Sequence, residues 1–103
     1  MEDKKEKLAK EAYVMFHPLR RKIVKLLAKG EPMYVAKIAK ELGITDKAKL
    51  IGFHLAALGE HKLVEGSYGI RHGPPTDESG RPVIVNYYKL TAKAEEIIKT
   101  FNL

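Results

Sequence analysis

At Leu63 the hydrophobic period of this chain changes from helical to twofold, so the fold must join a helical body to a short hairpin. Upstream, apolar residues recur at every third or fourth position. Leu8, Ala12, Met15 and Phe16 stand among Lys and Glu, and their spacing predicts an amphipathic helix over residues 3–16. That helix should stop before Pro18, because the residue preceding a proline avoids the helical region. Pro18 itself suits the first turn of the next helix, where its missing N–H costs nothing. Leu19, Ile23, Leu26 and Leu27 form that helix's buried stripe, and Gly30 followed by Glu31-Pro32 ends it.

Met33-Tyr34 reads as a very short extended piece. Val35, Ile38, Ala39 and Leu42 predict a helix terminated by Gly43. Thr45 is expected to cap the helix that follows, with Asp46 near the positive end of its dipole. This helix should bury Ala48, Ile51, Leu55 and Leu58 and fade around residues 59–62. Two short helices joined at Leu42-Gly43-Ile44-Thr45 outline a helix-turn-helix. Past Leu63, Val64, Gly66, Tyr68 and Ile70 share one strand face, opposite Glu65, Ser67, Gly69 and Arg71. The run GPPTDESG at residues 73–80 is a loop on composition, and the β-branched and aromatic residues 83–88 return as the second strand. Thr91 then caps a last helix built on Ala94, Ile97, Ile98 and Phe101. The expected architecture is mainly α with a small β-hairpin. It is a winged helix-turn-helix over residues 17–90, with an additional N-terminal helix (1–16) and C-terminal helix (91–103).

Charge sharpens the functional question. The net charge is +6, yet residues 1–16 and 63–103 are each neutral. Residues 17–62 hold ten basic and four acidic residues, so the whole excess lies in the middle segment. A localised excess of this size attracts polyanions, nucleic acid first, although a solvated lysine-rich face has the same composition. The chain has no Cys, which excludes disulfides, thiolate metal sites and a cysteine nucleophile. No apolar run approaches the roughly 18 residues of a membrane span, and the first residues lack a signal-peptide core, so a cytoplasmic protein is expected. Lys outnumbers Arg 15 to 4 and Gln is missing, a composition that leans toward a thermophilic source.

The residues also resemble a family. The run from His17 through Pro18, Arg20 and Ile23 to Leu27 is similar to the opening helix of ArsR-type bacterial and archaeal transcription regulators. Residues 38–44 (IAKELGI) resemble their first helix-turn-helix helix. Phe53-His54-Leu55 with Leu58, then Lys62-Leu63-Val64-Glu65, resembles their recognition helix entering the wing. Tyr87-Tyr88-Lys89-Leu90-Thr91 is similar to the end of the wing. The resemblance spans about residues 17–98 and implies a homodimer that binds double-stranded DNA near promoters and usually represses. Metal sensors of that family often bind through thiolates, which this chain lacks, so no cofactor is expected. This chain departs from the pattern twice. Eleven steps separate Gly43 from His54, about two more than usual, and Leu50, Ile51, Gly52 and Phe53 replace the short polar residues expected before the His-Leu pair.

Candidate DNA contacts follow from position and chemistry. Lys47 and Lys49, near the start of the expected recognition helix, suit phosphate contacts. Phe53 lies opposite the buried stripe, as a groove contact or under the N-terminal helix or a partner subunit. Gly52 permits close approach of a DNA backbone or tight helix packing. His54 is expected on the helix surface, where the resemblance implies a phosphate contact. Arg71 and Arg81 should meet at the neck of the wing, within reach of a minor groove. Arg20 and Arg21 read as surface or ion-pair residues. His17, His54, His61 and His72 lack the spacing of a metal site. No phosphate loop or catalytic pair is present, so an enzyme is not expected. The apolar stripes Leu8, Ala12, Met15, Phe16 and Ala94, Ile97, Ile98, Phe101 are expected to form the dimer interface. The alternative is that each helix folds back on its own subunit.

Overall fold

A computed structural model of the chain describes residues 3–72 and 74–103. Met1 and Glu2, at the start of the expected N-terminal segment, and Gly73, first in the expected loop, lie outside the described residues. Among the described residues the chain forms five α-helices and one two-stranded hairpin. Helix α1 (Lys4–Val14) begins where the Asp3 carboxylate accepts the Glu6 N–H at 2.7 Å. Helix α2 (Pro18–Leu27) opens on its proline, and the His17 ring caps it by accepting the Leu19 N–H at Nδ1, 3.2 Å away. Helix α3 (Val35–Glu41) ends at a left-handed Gly43 (φ +71°), where the Ile44 N–H reaches the Ala39 carbonyl at 2.9 Å.

Thr45 does not cap the next helix. It starts a single 3₁₀ turn, Thr45–Lys47, closed by Lys47 N–H on the Ile44 carbonyl, and α4 (Ala48–Glu60) begins only after it. This turn occupies three of the positions between Gly43 and His54. Helix α4 ends like α3, with Leu63 N–H on the Leu58 carbonyl at 3.0 Å, but its left-handed position is held by Lys62 (φ +58°).

Strands β1 (Val64–Ile70) and β2 (Ile84–Leu90) pair antiparallel, from Val64 opposite Leu90 to Ile70 opposite Ile84. Met33 exchanges both backbone hydrogen bonds with Tyr88, so the short extended piece adds one rung at the outer edge of β2. Only the Val64–Leu90 end of the hairpin reaches the core. Tyr68, Ile70 and Ile84 are exposed, and the hairpin stands clear of the body as a wing. The chain is accordingly long, 56 × 23 × 21 Å, with a radius of gyration of 15.0 Å.

Helix α5 (Ala92–Phe101) starts at Thr91, whose hydroxyl accepts the Ala94 N–H and donates to the Lys62 carbonyl at 2.7 Å. That bond aims α5 back across the body, where it packs on α1. The outcome corrects the expected interface. Leu8, Ala12, Met15, Ala94 and Ile97 are buried within one chain, in the same core as Ile23, Ile38, Ile51, Leu55 and Leu58. Those five residues need no second subunit to cover them, because the short connections at His17-Pro18 and Leu90-Thr91 fold both helices inward. Ile98 and Phe101 are half-buried against this core, and Phe16 is exposed. A winged helix-turn-helix flanked by a terminal helix at each end is the result.

Candidate nucleic-acid interface

Helix α3, the 3₁₀ turn and the start of α4 carry Lys37, Lys40, Lys47 and Lys49 in succession. Lys37 reaches Glu41 one turn along at 3.1 Å, and that hydrogen bond raises its pKa above the ordinary lysine value. Lys40, Lys47 and Lys49 are exposed and join no ion pair among the described residues. Such solvated ammonium groups can exchange water for phosphate oxygens at little cost.

The outer side of α4 is open. A Cβ placed on Gly52 would meet no atom within 4 Å, so close helix packing is not the reason for a glycine there. A glycine in a helix interior costs about 1 kcal/mol relative to alanine, and nothing in the chain offsets that cost by contact. Phe53 beside it is 65 % exposed, so the N-terminal helix does not cover it; its ring meets His54 edge-on at 5.4 Å. Leu50 is exposed as well. Lys47 and Lys49 therefore flank an apolar surface with few groups able to read base edges.

His54 is not on the surface. It is 4 % exposed, and its Nδ1 accepts the Arg20 Nε–H at 3.0 Å. Arg20 also donates from Nη1 to the Val14 carbonyl, at 3.2 Å, tying the end of α1 to α2 and α4. The His54 ring lies against His17, with centroids 4.4 Å apart and planes tilted by 39°. Burial, then the nearby His17 and Arg20, holds the His54 pKa below the usual imidazole range. Arg20 is thus a structural clasp rather than a solvent-facing ion-pair residue. The sequence carried one sign of this: His54 stands beside Leu55 and one turn after Ile51, on the border of the buried stripe.

Arg71 and Arg81 lie on the two arms of the wing loop, and both act on Asp77, Arg81 through its backbone N–H and Arg71 through its charge. Arg71 sits at the neck, with its backbone paired to Val83 and its Nε donating to the Pro74 carbonyl at 2.8 Å. Arg81 belongs to the tip, where the Asp77 carboxylate accepts its N–H. The same carboxylate accepts the Ser79 hydroxyl and N–H; the hydroxyl bond, followed by the Arg81 N–H, holds the Asp77 pKa below its ordinary value.

Among the described residues no three His, Asp or Glu side chains gather as a metal site would require. Among them, too, no helix is long and apolar enough to cross a membrane. A family model described as a helix-turn-helix domain matches residues 15–67, about half of the chain, from the end of α1 into β1. No curated protein matches the chain significantly.

Proposed function

Because the chain belongs to the helix-turn-helix domain family, we propose that it binds double-stranded DNA as a transcription regulator of the ArsR-like type, a homodimer that represses. Helix α4 enters the major groove, the wing follows the adjacent backbone, and a second copy occupies the other half of a two-fold site. The observation that carries this function is the unpaired run Lys40, Lys47 and Lys49 beside the open, glycine-bearing side of α4. Phosphate contacts supply most of the affinity, and Phe53 supplies apolar contact to a thymine methyl. For pairing, Tyr13 and Phe16 remain exposed at the end of α1, their rings edge-to-face at 6.0 Å, with Ile98 and Phe101 half-covered on α5.

Random-site selection on purified protein tests the proposal, with an enriched palindromic motif as the expected result. If each subunit neutralises about three phosphates, the log–log salt slope of a dimer is near −5, at about 0.9 per contact. Lys47→Ala and Lys49→Ala each weaken binding evenly across sequences and, by removing one contact from each subunit of the dimer, reduce that slope by about two. Absence of binding at low salt, or sedimentation as a monomer at micromolar concentration on DNA-binding sites, removes it. The exposed Leu50 and Phe53 favour a second reading, a protein-interaction module with non-specific nucleic-acid affinity. Binding without any enriched motif would select that one.

A further inference from the structure

An open groove of about 440 Å³ runs between α3 and the side of the wing. Lys37, Lys40 and Thr45 line one wall, His72 lines the other, and Tyr34 and Tyr87 lie between them. Tyr87 braces the wing wall by hydrogen bonds and meets the α3 side through its ring. Its hydroxyl accepts the His72 N–H at 2.7 Å and donates to the Ile70 carbonyl at 3.3 Å. Its ring stacks near His72 at 4.9 Å and meets Tyr34 edge-on at 5.6 Å. The His72 ring nitrogens have no hydrogen-bond partner among the described residues. Glu31 is the one carboxylate on the lining, against two lysines, of which Lys37 also meets Glu41 at 3.1 Å and Lys40 pairs with no carboxylate among the described residues.

We infer that this groove seats the sugar–phosphate strand that flanks the major-groove contact, a role the sequence assigned to none of Lys37, Lys40, Thr45 or His72. The inference rests on the duplex-DNA binding proposed above and adds to it. Three features point to a phosphodiester chain. Among the polar side chains on the lining, donors outnumber the one carboxylate: two ammonium groups, a hydroxyl and an imidazole. The groove is open, which suits a chain passing through better than an enclosed small molecule. It is also continuous with the other cations, because Thr45 begins the turn that carries Lys47 and leads into Lys49 on α4. One strand leaving Lys47 and Lys49 thus has a path past Lys40 and Lys37 to the His72 side of the wing. The Tyr87 bonds hold the wing wall in place, and the Tyr34–Tyr87 ring contact with the Met33–Tyr88 backbone pair sets it against the start of α3 before DNA arrives, so little ordering is left for the binding step.

The test is anisotropy titration of the full chain on duplex DNA at several salt concentrations, comparing wild type with Lys37→Gln combined with Lys40→Gln. Both positions are on the helix surface, and circular dichroism checks that the double variant is folded. Binding should weaken at least about tenfold at intermediate salt, with a log–log slope less negative by about three to four, since the dimer loses four contacts. Wild-type affinity and slope in the double variant overturn the groove while leaving DNA binding intact. Failure of the wild type to bind any duplex overturns the proposed function, and the groove with it. A second measurement uses the absence of cysteine: Lys40→Cys carries a single tethered iron–EDTA group. Backbone cleavage on the strand flanking the half-site is the expected result, and uncut DNA in a bound complex contradicts the assignment.

Discussion

The terminal helices and the central segment are both rich in lysine, but they use their charges differently. On α1 and α5, Lys4 meets Glu96 at 2.9 Å, while Glu11 holds Lys93 at 2.9 Å and faces His61 at 3.4 Å. Beneath those pairs the apolar stripes close on each other inside one chain. Across α3, the turn and α4, one lysine is paired with Glu41, and Lys40, Lys47 and Lys49 stay solvated beside an exposed Leu50 and Phe53. Neutrality at the ends therefore reflects pairing within the chain. The positive excess of the middle remains free for a partner outside it, and that contrast locates function better than the total charge does.

Truncating the core gives the largest expected effect. Ile97→Ala removes a fully buried side chain between α5 and the body and should cost about 3 kcal/mol in urea unfolding. Phe53→Ala, on the open side, should cost under about 0.5 kcal/mol and act on DNA affinity instead. Equal stability losses at the two positions would erase the contrast. Ile97→Glu should prevent folding altogether rather than release a folded monomer, since it places a charge in the core.

Next comes the ion-pair cluster. The hydrogen bond from Lys93 holds the Glu11 pKa below its usual value, against the opposing effect of burial and with help from Lys93 and His61 charge. A depressed carboxylate contributes stability that is present above its unfolded pKa, near 4.5, and lost as pH falls through the lower folded value. Glu11→Gln should cost about 1 kcal/mol at neutral pH and flatten the stability profile below pH 4.5. An unchanged acid limb in that variant would show that the terminal pairs are incidental.

Gly52→Ala should move stability and binding in opposite directions. Open space above the backbone lets the methyl group in, and helix propensity raises stability by about 0.8 kcal/mol. If DNA approaches the backbone there, affinity drops several-fold at the same time. A variant that is more stable and binds as before would mean that Gly52 is unrelated to function.

The smallest effect lies where α4 hands over to β1. Gly43 and Lys62 occupy equivalent left-handed positions at the ends of α3 and α4, and only the first is glycine. Lys62→Gly should stabilise the chain by about 0.5 kcal/mol in thermal unfolding. A loss instead would assign the Lys62 side chain a stabilising contact of its own.

Local pattern determined a good deal by itself. Apolar spacing set the helices, Pro18 separated the first two, and the change of period at Leu63 set the hairpin, because these depend on neighbours within a few positions. The clustering of cations between residues 17 and 62 was equally legible. Tertiary structure decided which surface covers which. Apolar spacing on α1 and α5 is the same whether they face a second subunit or each other, and the Thr91–Lys62 bond turns α5 onto α1. Burial of His54 needed Arg20 from 34 positions away, and the link from Glu11 to Lys93 spans 82. The groove under the wing needed α3 and β2 side by side, held there by the single Met33–Tyr88 rung. Contacts between residues so distant in the chain leave no period in the sequence, since they arise only when the whole core closes.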